Sequence, residues 1–179
     1  MITPVAHLDE FQARRSQTSR RSRSAGHQES LRHGRAMHLL DIENLVGTSG
    51  PTTREVEEVM MMYDAVVPIG ERDHYMVAVN PAALVAVGVA FPGGRLLTRP
   101  GPDGADRALG EAAYHDRIDL RFERVVIGSG DGYFVDLAHW LREAGLHVIV
   151  VSRPGSLSRR LSAAATEAIC LEPATQHAA

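Results

Sequence analysis

The sequence contains no lysine; all 19 of its basic residues are arginine. With so much alanine, valine and glycine, this reflects GC-rich codons more than function. There is one cysteine, Cys170, so an internal disulfide is excluded. Its apolar, strand-like surroundings predict a buried bystander. No apolar run approaches the length that spans a bilayer, and the N-terminus lacks the apolar stretch and cleavage site of a secretory signal. These absences point to a reducing cytoplasm with no membrane involved. His139 and His147 have no Cys or His partner at metal-ligand spacing, so they are expected to be a surface residue and a strand-start residue.

What is present suits one globular domain: 179 residues, 44% of them hydrophobic. The charge is unevenly spread. Residues 1–36 carry seven arginines against Asp9, Glu10 and Glu29, a net of +4. The rest carries 12 arginines against 19 acids, a net of −7, for −3 in all. An acidic body does not attract nucleic acid by net charge alone. To bind phosphates it needs bound cations, a local arginine patch or the basic tail.

Residues 1–36 are Arg/Ser-rich, poor in apolar residues and without period, and read as a disordered tail. A solvated tail, a nucleic-acid-binding arm and an artefact of start-codon choice at Met37 compete as its explanation. From Met37 strands and helices alternate as far as residue 173; residues 174–179 read as a flexible C-terminus. Apolar strands are expected at 36–42, 74–80, 94–99, 124–128, 147–152 and 167–172. Helices are expected at 51–67, with Thr52 and Glu55 at capping-box spacing, at 81–90 behind Pro81, at 103–116 with Asp103 as N-cap, and at 134–145 ending on Gly145. "SLSRRLSAAA" lies between the last two strands. Met60–Met62 is read as core filler in the first helix. Continuous apolar strands between helices predict an α/β fold with a mostly parallel sheet covered on both faces. In such sheets ligands bind beyond the carboxyl ends of the strands, where strand order reverses.

That rule directs attention to acids. "LLDIEN" puts Asp41 at the carboxyl end of the first strand, followed by Glu43 and Asn44. "VVIGSGDGYF" puts Asp131 at the end of another, and "GPDGAD" puts Asp106 in the first turn of a helix on the same edge. Each has a bland alternative: Asp106 and Asp131 as helix caps, Asp41 as a structural acid. Together they converge if the two Asp-ended strands are neighbours. Two like charges ~4 Å apart repel by roughly 4 kcal/mol at an effective dielectric near 20. Such a cluster needs protons or a divalent cation, and oxygen-only ligands suit Mg²⁺ or Mn²⁺. The glycines around Asp131 would let a metal and its phosphate approach the backbone. Phosphodiester hydrolysis is the economical reaction for this set.

At these residues the sequence resembles the NYN domain family, a branch of the PIN-like nucleases. The matching pieces are "LLDIENL" (39–45), "GADRAL" (104–109), "VVIGSGDGYFVDLAHWLREAGLHVIVV" (125–151) and "SLSRRLSAAAT" (156–166), within about 37 to 172. The resemblance implies a PIN-like three-layer α/β/α sandwich and metal-dependent ribonuclease activity. It assigns Asp41, Asp106 and Asp131 to the metal and Asn44 to the polar lining. Three features depart from the family. Tyr133 stands where a second acid often follows the Ser-Gly-Asp motif, and Ala112 where a further helix acid is common, with Glu111 beside it turned about 100° away. The lysine that often precedes the GAD motif has no counterpart. Asp136 is read as a solvated helix residue.

Tyr133 is a candidate to stack on a base, and Ser129 is a candidate substrate contact. Arg99, Arg153, Arg159 and Arg160 follow strand ends on the same edge and are candidates to grip phosphates. The leading expectation is therefore a cytoplasmic Mg²⁺/Mn²⁺-dependent endoribonuclease whose partner is RNA, with a homodimer as a candidate assembly. Competing readings are a catalytically weakened RNA-binding or regulatory module, and a PIN-like toxin of a toxin–antitoxin pair. A nucleotide-binding protein using "GSGDG" is disfavoured, since the spacing is not G-x-G-x-x-G.

Overall fold

Strands that are apolar at every position have no solvent face to offer, and the chain buries them accordingly. The structure, a computed structural model, describes residues 32–91 and 94–172. Its first strand, β1 (Ala36–Asp41), is buried at all six positions. It pairs in parallel with β2 (His74–Val79) on one side and β4 (Arg124–Gly128) on the other. With β3 (Arg95–Thr98), β5 (His147–Ser152) and β6 (Glu167–Cys170), the sheet runs in the order β3-β2-β1-β4-β5-β6, every neighbour parallel. The sequence reading of a mostly parallel sheet is met by a wholly parallel one. The chain winds outward from β1 to β3, then returns to the far side of β1 with β4. The Asp-ended strands are thus neighbours at the point where winding direction switches.

Helices fill both faces and complete a three-layer α/β/α sandwich of PIN-like type. On one face lie α1 (Ile42–Val46), α2 (Thr53–Val66) and α3 (Leu84–Ala90), which continues a 3₁₀ turn at Pro81–Ala83. They pack Ile42, Leu45, Val56, Val59, Tyr63 and Val87 against Leu40, Val77, Val79, Val126 and Val151. On the other lie α4 (Gly104–His115), α5 (Val135–Glu143) and α6 (Arg159–Ala164). There Leu109, Ala113, Leu137, Leu141 and Leu161 cover Leu39, Val125, Ile127, Val148 and Val150. Each such buried aliphatic side chain contributes roughly 1.5–3 kcal/mol, which sets the sheet as the rigid platform for its edge loops.

Local signals act as expected at several boundaries. Thr52 and Glu55 form the capping box of α2, and Gly145 turns left-handed after α5. Elsewhere tertiary context overrides them. Asp103 precedes α4 at φ 54° and makes no side-chain cap bond, so the cap expected there is absent. Cys170 is exposed rather than buried, because β6 is an edge strand. Met61 is 67% exposed on the outer side of α2, so only its neighbours in the Met60–Met62 run lean on the core. Val135 is buried and joins the apolar stripe of α5, while Asp136 is exposed as read.

The described domain also takes in Arg32–Arg35, from the segment assigned to the tail: Arg32 Nε donates to the Phe122 carbonyl, and the Arg35 guanidinium lies over the Phe122 ring. The disorder expected of 1–31 and the flexibility expected of 174–179 concern residues outside the described ones. One polar network lies inside the core. His38 Nδ1 meets Tyr63 Oη at 2.7 Å, and its other ring nitrogen stands 3.6 Å from Asp73, without a hydrogen-bond partner. Burial holds His38 below its ordinary pKa, with Asp73 opposing.

Candidate active site

β1 and β4 end side by side, and each ends in a turn that an aspartate organises. Asp41 is the N-cap of α1: Oδ1 accepts from Asn44 N at 3.2 Å, and Oδ2 accepts from the Ser129 hydroxyl at 3.1 Å. Ser129 is fully buried, and its oxygen also accepts from Asp131 N at 3.2 Å. Asp131 in turn caps the short 3₁₀ turn Gly132–Phe134 by accepting from Tyr133 N at 2.8 Å. Asn44 Oδ1 accepts from Gly130 N at 2.9 Å and so ties α1 to the loop after β4.

The loop has no room for side chains at two positions. A Cβ on Gly130 would stand 2.4 Å from the Ser156 carbonyl oxygen. One on Gly104, which opens α4, would stand 2.2 Å from the Arg99 carbonyl oxygen. Both glycines are therefore required by close backbone approach, and that approach brings α4 and the β5–α6 loop against the carboxyl edge.

α4 delivers Asp106 in its first turn, where a carboxylate is also favoured by the helix dipole. Asp41, Asp106 and Asp131 line one cleft of about 230 Å³ together with Glu43, Asn44, Asn80, Arg99 and Asp103. The carboxyl groups of Asp41 and Asp106 face each other closely enough to share a proton. Burial, followed by the charge of Asp41 and its hydrogen bond, pushes Asp106 up to about 8. Burial also raises Asp41, against hydrogen bonds from Asn44, Asp106 and Ser129 that hold it down. Asp106 Oδ1 is buried with no hydrogen-bond partner. An orphaned carboxylate oxygen among like charges fits a bound cation, and an all-oxygen donor set fits Mg²⁺ or Mn²⁺. The acids do not make a finished cage: among the described residues, no group of three or more His, Cys, Asp or Glu is arranged to hold a metal ion. Asp41 and Asp106 fit as the ligand pair, with Asp131, its Oδ1 engaged at Tyr133, as a third carboxylate on the cleft.

The other residues singled out in the sequence divide. Arg99 lines the cleft and donates to Glu111 at 2.5 Å. Arg153 is instead engaged with α1, its Nε donating to the Asn44 carbonyl at 3.0 Å. Arg159 and Arg160 are exposed at the start of α6, next to Ser158, whose hydroxyl lies against Gly132. Ser129, expected at the substrate, is enclosed and serves the two acids. Ala112 is buried in the core and Glu111 is exposed, so neither adds an acid to the cleft. Sequence reasoning passed over Asn80. It follows β2 at the cleft, caps the turn at Pro81 and donates its backbone N–H to Glu43 at 2.6 Å. Asn directly before Pro at a strand end was the available signal.

A parallel six-stranded sandwich with acids at its switch point is consistent with a PIN-like fold. Residues 106–172, from Asp106 through β6, match the model of the NYN domain family. Asp41 and β1 precede the matched residues. Among solved structures, the fold is similar to the crystal structure of a protein of unknown function from Vibrio parahaemolyticus, with a TM-score of 0.52 and 18% identity over 77% of this chain and 93% of that one. No curated protein matches the chain. Among the described residues, no helix is long and apolar enough to cross a membrane.

Proposed function

We propose that this protein is a cytoplasmic, divalent-metal-dependent ribonuclease that hydrolyses phosphodiester bonds of RNA. The single observation that carries the reading is the Asp41–Asp106 pair: two buried carboxyl groups facing each other at the switch point, one with an unpartnered oxygen. A fold gains nothing by such an arrangement, since without a cation it persists at neutral pH only by keeping one carboxyl protonated. When bound, Mg²⁺ or Mn²⁺ supplies Lewis-acid polarisation of a phosphoryl oxygen and lowers the pKa of water.

The chain's own residues supply the rest. Asp41, Asp106 and Asp131 would hold the cation, with Asp41 aimed by Ser129 and Asn44 N. Asn44 clamps the loop that carries Asp131, and Arg153 holds the carbonyl of Asn44, so both are positioning residues. Arg99 is the arginine that takes a phosphate, because it already lines the cleft; Arg159 extends the basic surface beside the Asp131 turn. A residue 37–179 segment of net charge −7 repels a polyanion, and a cation in the acid cleft would lessen that repulsion locally.

A second reading is favoured by two observations: the cleft lacks a ready three-acid cage, and Tyr133 stands in a usual acid's place. It is an RNA-binding module with weakened catalysis. Purified protein incubated with labelled RNA separates them. The nuclease reading expects cleavage with Mn²⁺, none with chelator, and none from Asp131→Asn. Binding without cleavage under all conditions supports the module, and cleavage that survives chelator removes the metal from the account.

A further inference from the structure

The turn that carries Asp131 also displays an aromatic ring. Tyr133 is 46% exposed, whereas Phe134, the next residue, is fully buried and does the packing. Among the exposed large hydrophobic residues that the structure describes, it is the one aromatic. A ring that served only the fold would not need this exposure, and among the described residues its hydroxyl has no hydrogen-bond partner.

Its placement is nevertheless fixed. The backbone N–H of Tyr133 is held by Asp131 Oδ1 at 2.8 Å. The ring meets Phe134 edge-on with centroids 5.7 Å apart, and it rests beside Gly110 of α4, one turn beyond Asp106. The phenol lies within electrostatic reach of Arg107, Asp106, Glu111 and Arg99. One carboxylate thus faces the cleft and also sets the ring beside it, with two arginines close by.

Resting on the ribonuclease reading, we propose that Tyr133 is a stacking platform for an unpaired base next to the phosphate held in the acid cleft, and so selects single-stranded over duplex RNA. A base inside a duplex keeps both faces on its neighbours and has none to offer. A single strand can splay one base onto the ring while its phosphates meet Arg99 and Arg107. Specificity then resides in a side chain that takes no part in the chemistry.

The test uses the full chain and a short fluorescein-labelled oligouridylate, beside a labelled RNA duplex, measured by anisotropy with Ca²⁺, an oxygen-seeking cation, in place of Mg²⁺ or Mn²⁺. The parent is expected to prefer the single strand. Tyr133→Phe should keep that preference, because the hydroxyl has no partner to lose. Tyr133→Ala should lose roughly 5- to 150-fold in affinity for the single strand and little for the duplex. Equal losses on both RNAs, or none, overturn the proposal. Cleavage with Mn²⁺ is scored separately. Tyr133-dependent binding without cleavage leaves the platform standing and sinks the nuclease reading; cleavage with unchanged single-strand preference in Tyr133→Ala sinks the platform alone.

Discussion

If the cleft acids are built for a cation, the metal-free protein must pay in stability for holding them together, and the payment must depend on pH. Asp106 titrates at about 8 in the folded protein against an ordinary value of 3.8. An acid with a raised folded pKa binds its proton more tightly folded than unfolded. Its stabilising proton is fully present below the unfolded value and is lost as pH climbs through the folded one. His38 works in the opposite sense: its depressed pKa makes stability fall only as pH drops below its ordinary 6.5. The window between 6.5 and 8 therefore isolates the acid pair.

Across that window a raised acid costs about 1.4 kcal/mol per pH unit, or roughly 2 kcal/mol. The cleft is open to water, and screening reduces this to roughly 1 kcal/mol. For a domain of this size that is about 2–4 °C in Tm. The experiment is thermal unfolding at pH 6.5 and pH 8 in chelator, for the parent and Asp106→Asn. The parent should lose those few degrees and the variant should not. With Mn²⁺ in excess the parent should gain stability, by about 2.7 kcal/mol at a hundredfold excess over Kd. The gain should be larger at the higher pH, where less of the Asp106 proton remains to be displaced. A parent curve flat in chelator, or a variant that falls equally, refutes the acid-pair argument.

Three further outcomes follow from named contacts. Tyr63→Phe leaves the buried His38 Nδ1 without its 2.7 Å partner and should lower unfolding free energy by about 1–3 kcal/mol in urea titration, with cleavage unchanged. Gly130→Ala forces the Ser156 carbonyl away from a Cβ that would stand 2.4 Å off, displacing Asp131 with it. Its initial cleavage rate on labelled RNA should fall by about a hundredfold while the fold persists by circular dichroism. Ser129→Ala removes the hydroxyl shared by Asp41 and Asp131, and should cost about 1–2 kcal/mol in the same urea titration and weaken Mn²⁺ binding measured by calorimetry.

The sheet and its switch point were legible because they rest on long apolar runs, whose periodicity survives any context. β1 is buried at all its positions, as "AMHLLDI" required, and Asp41 ends it while Asp131 follows the adjacent strand. What was not legible depended on neighbours distant in sequence. Nothing in "DIENLVG" announces that Ile42–Val46 closes into a helix; the Ser129 and Gly130 contacts that fix it lie more than eighty residues on. Ser129 is the same case. A serine before Gly-Asp reads as a substrate contact until Asp41 is found to enclose it. Cys170 misled because its segment is apolar, yet β6 has a partner on one side only.

These contacts also decide which acid gives the cleanest evidence. Asp41 caps α1 and Asp131 caps the turn before α5, so each serves the backbone as well as the cleft. Removing either carboxylate takes away a cap worth about 1 kcal/mol along with any chemistry. A loss of cleavage there mixes disordered loops with a lost ligand. Asp106 caps nothing, and its Oδ1 has no partner to abandon. Its replacement by Asn should relieve the cleft in the absence of metal and disable it in the presence of metal. A residue required only by the fold has no reason to give that reversal of sign.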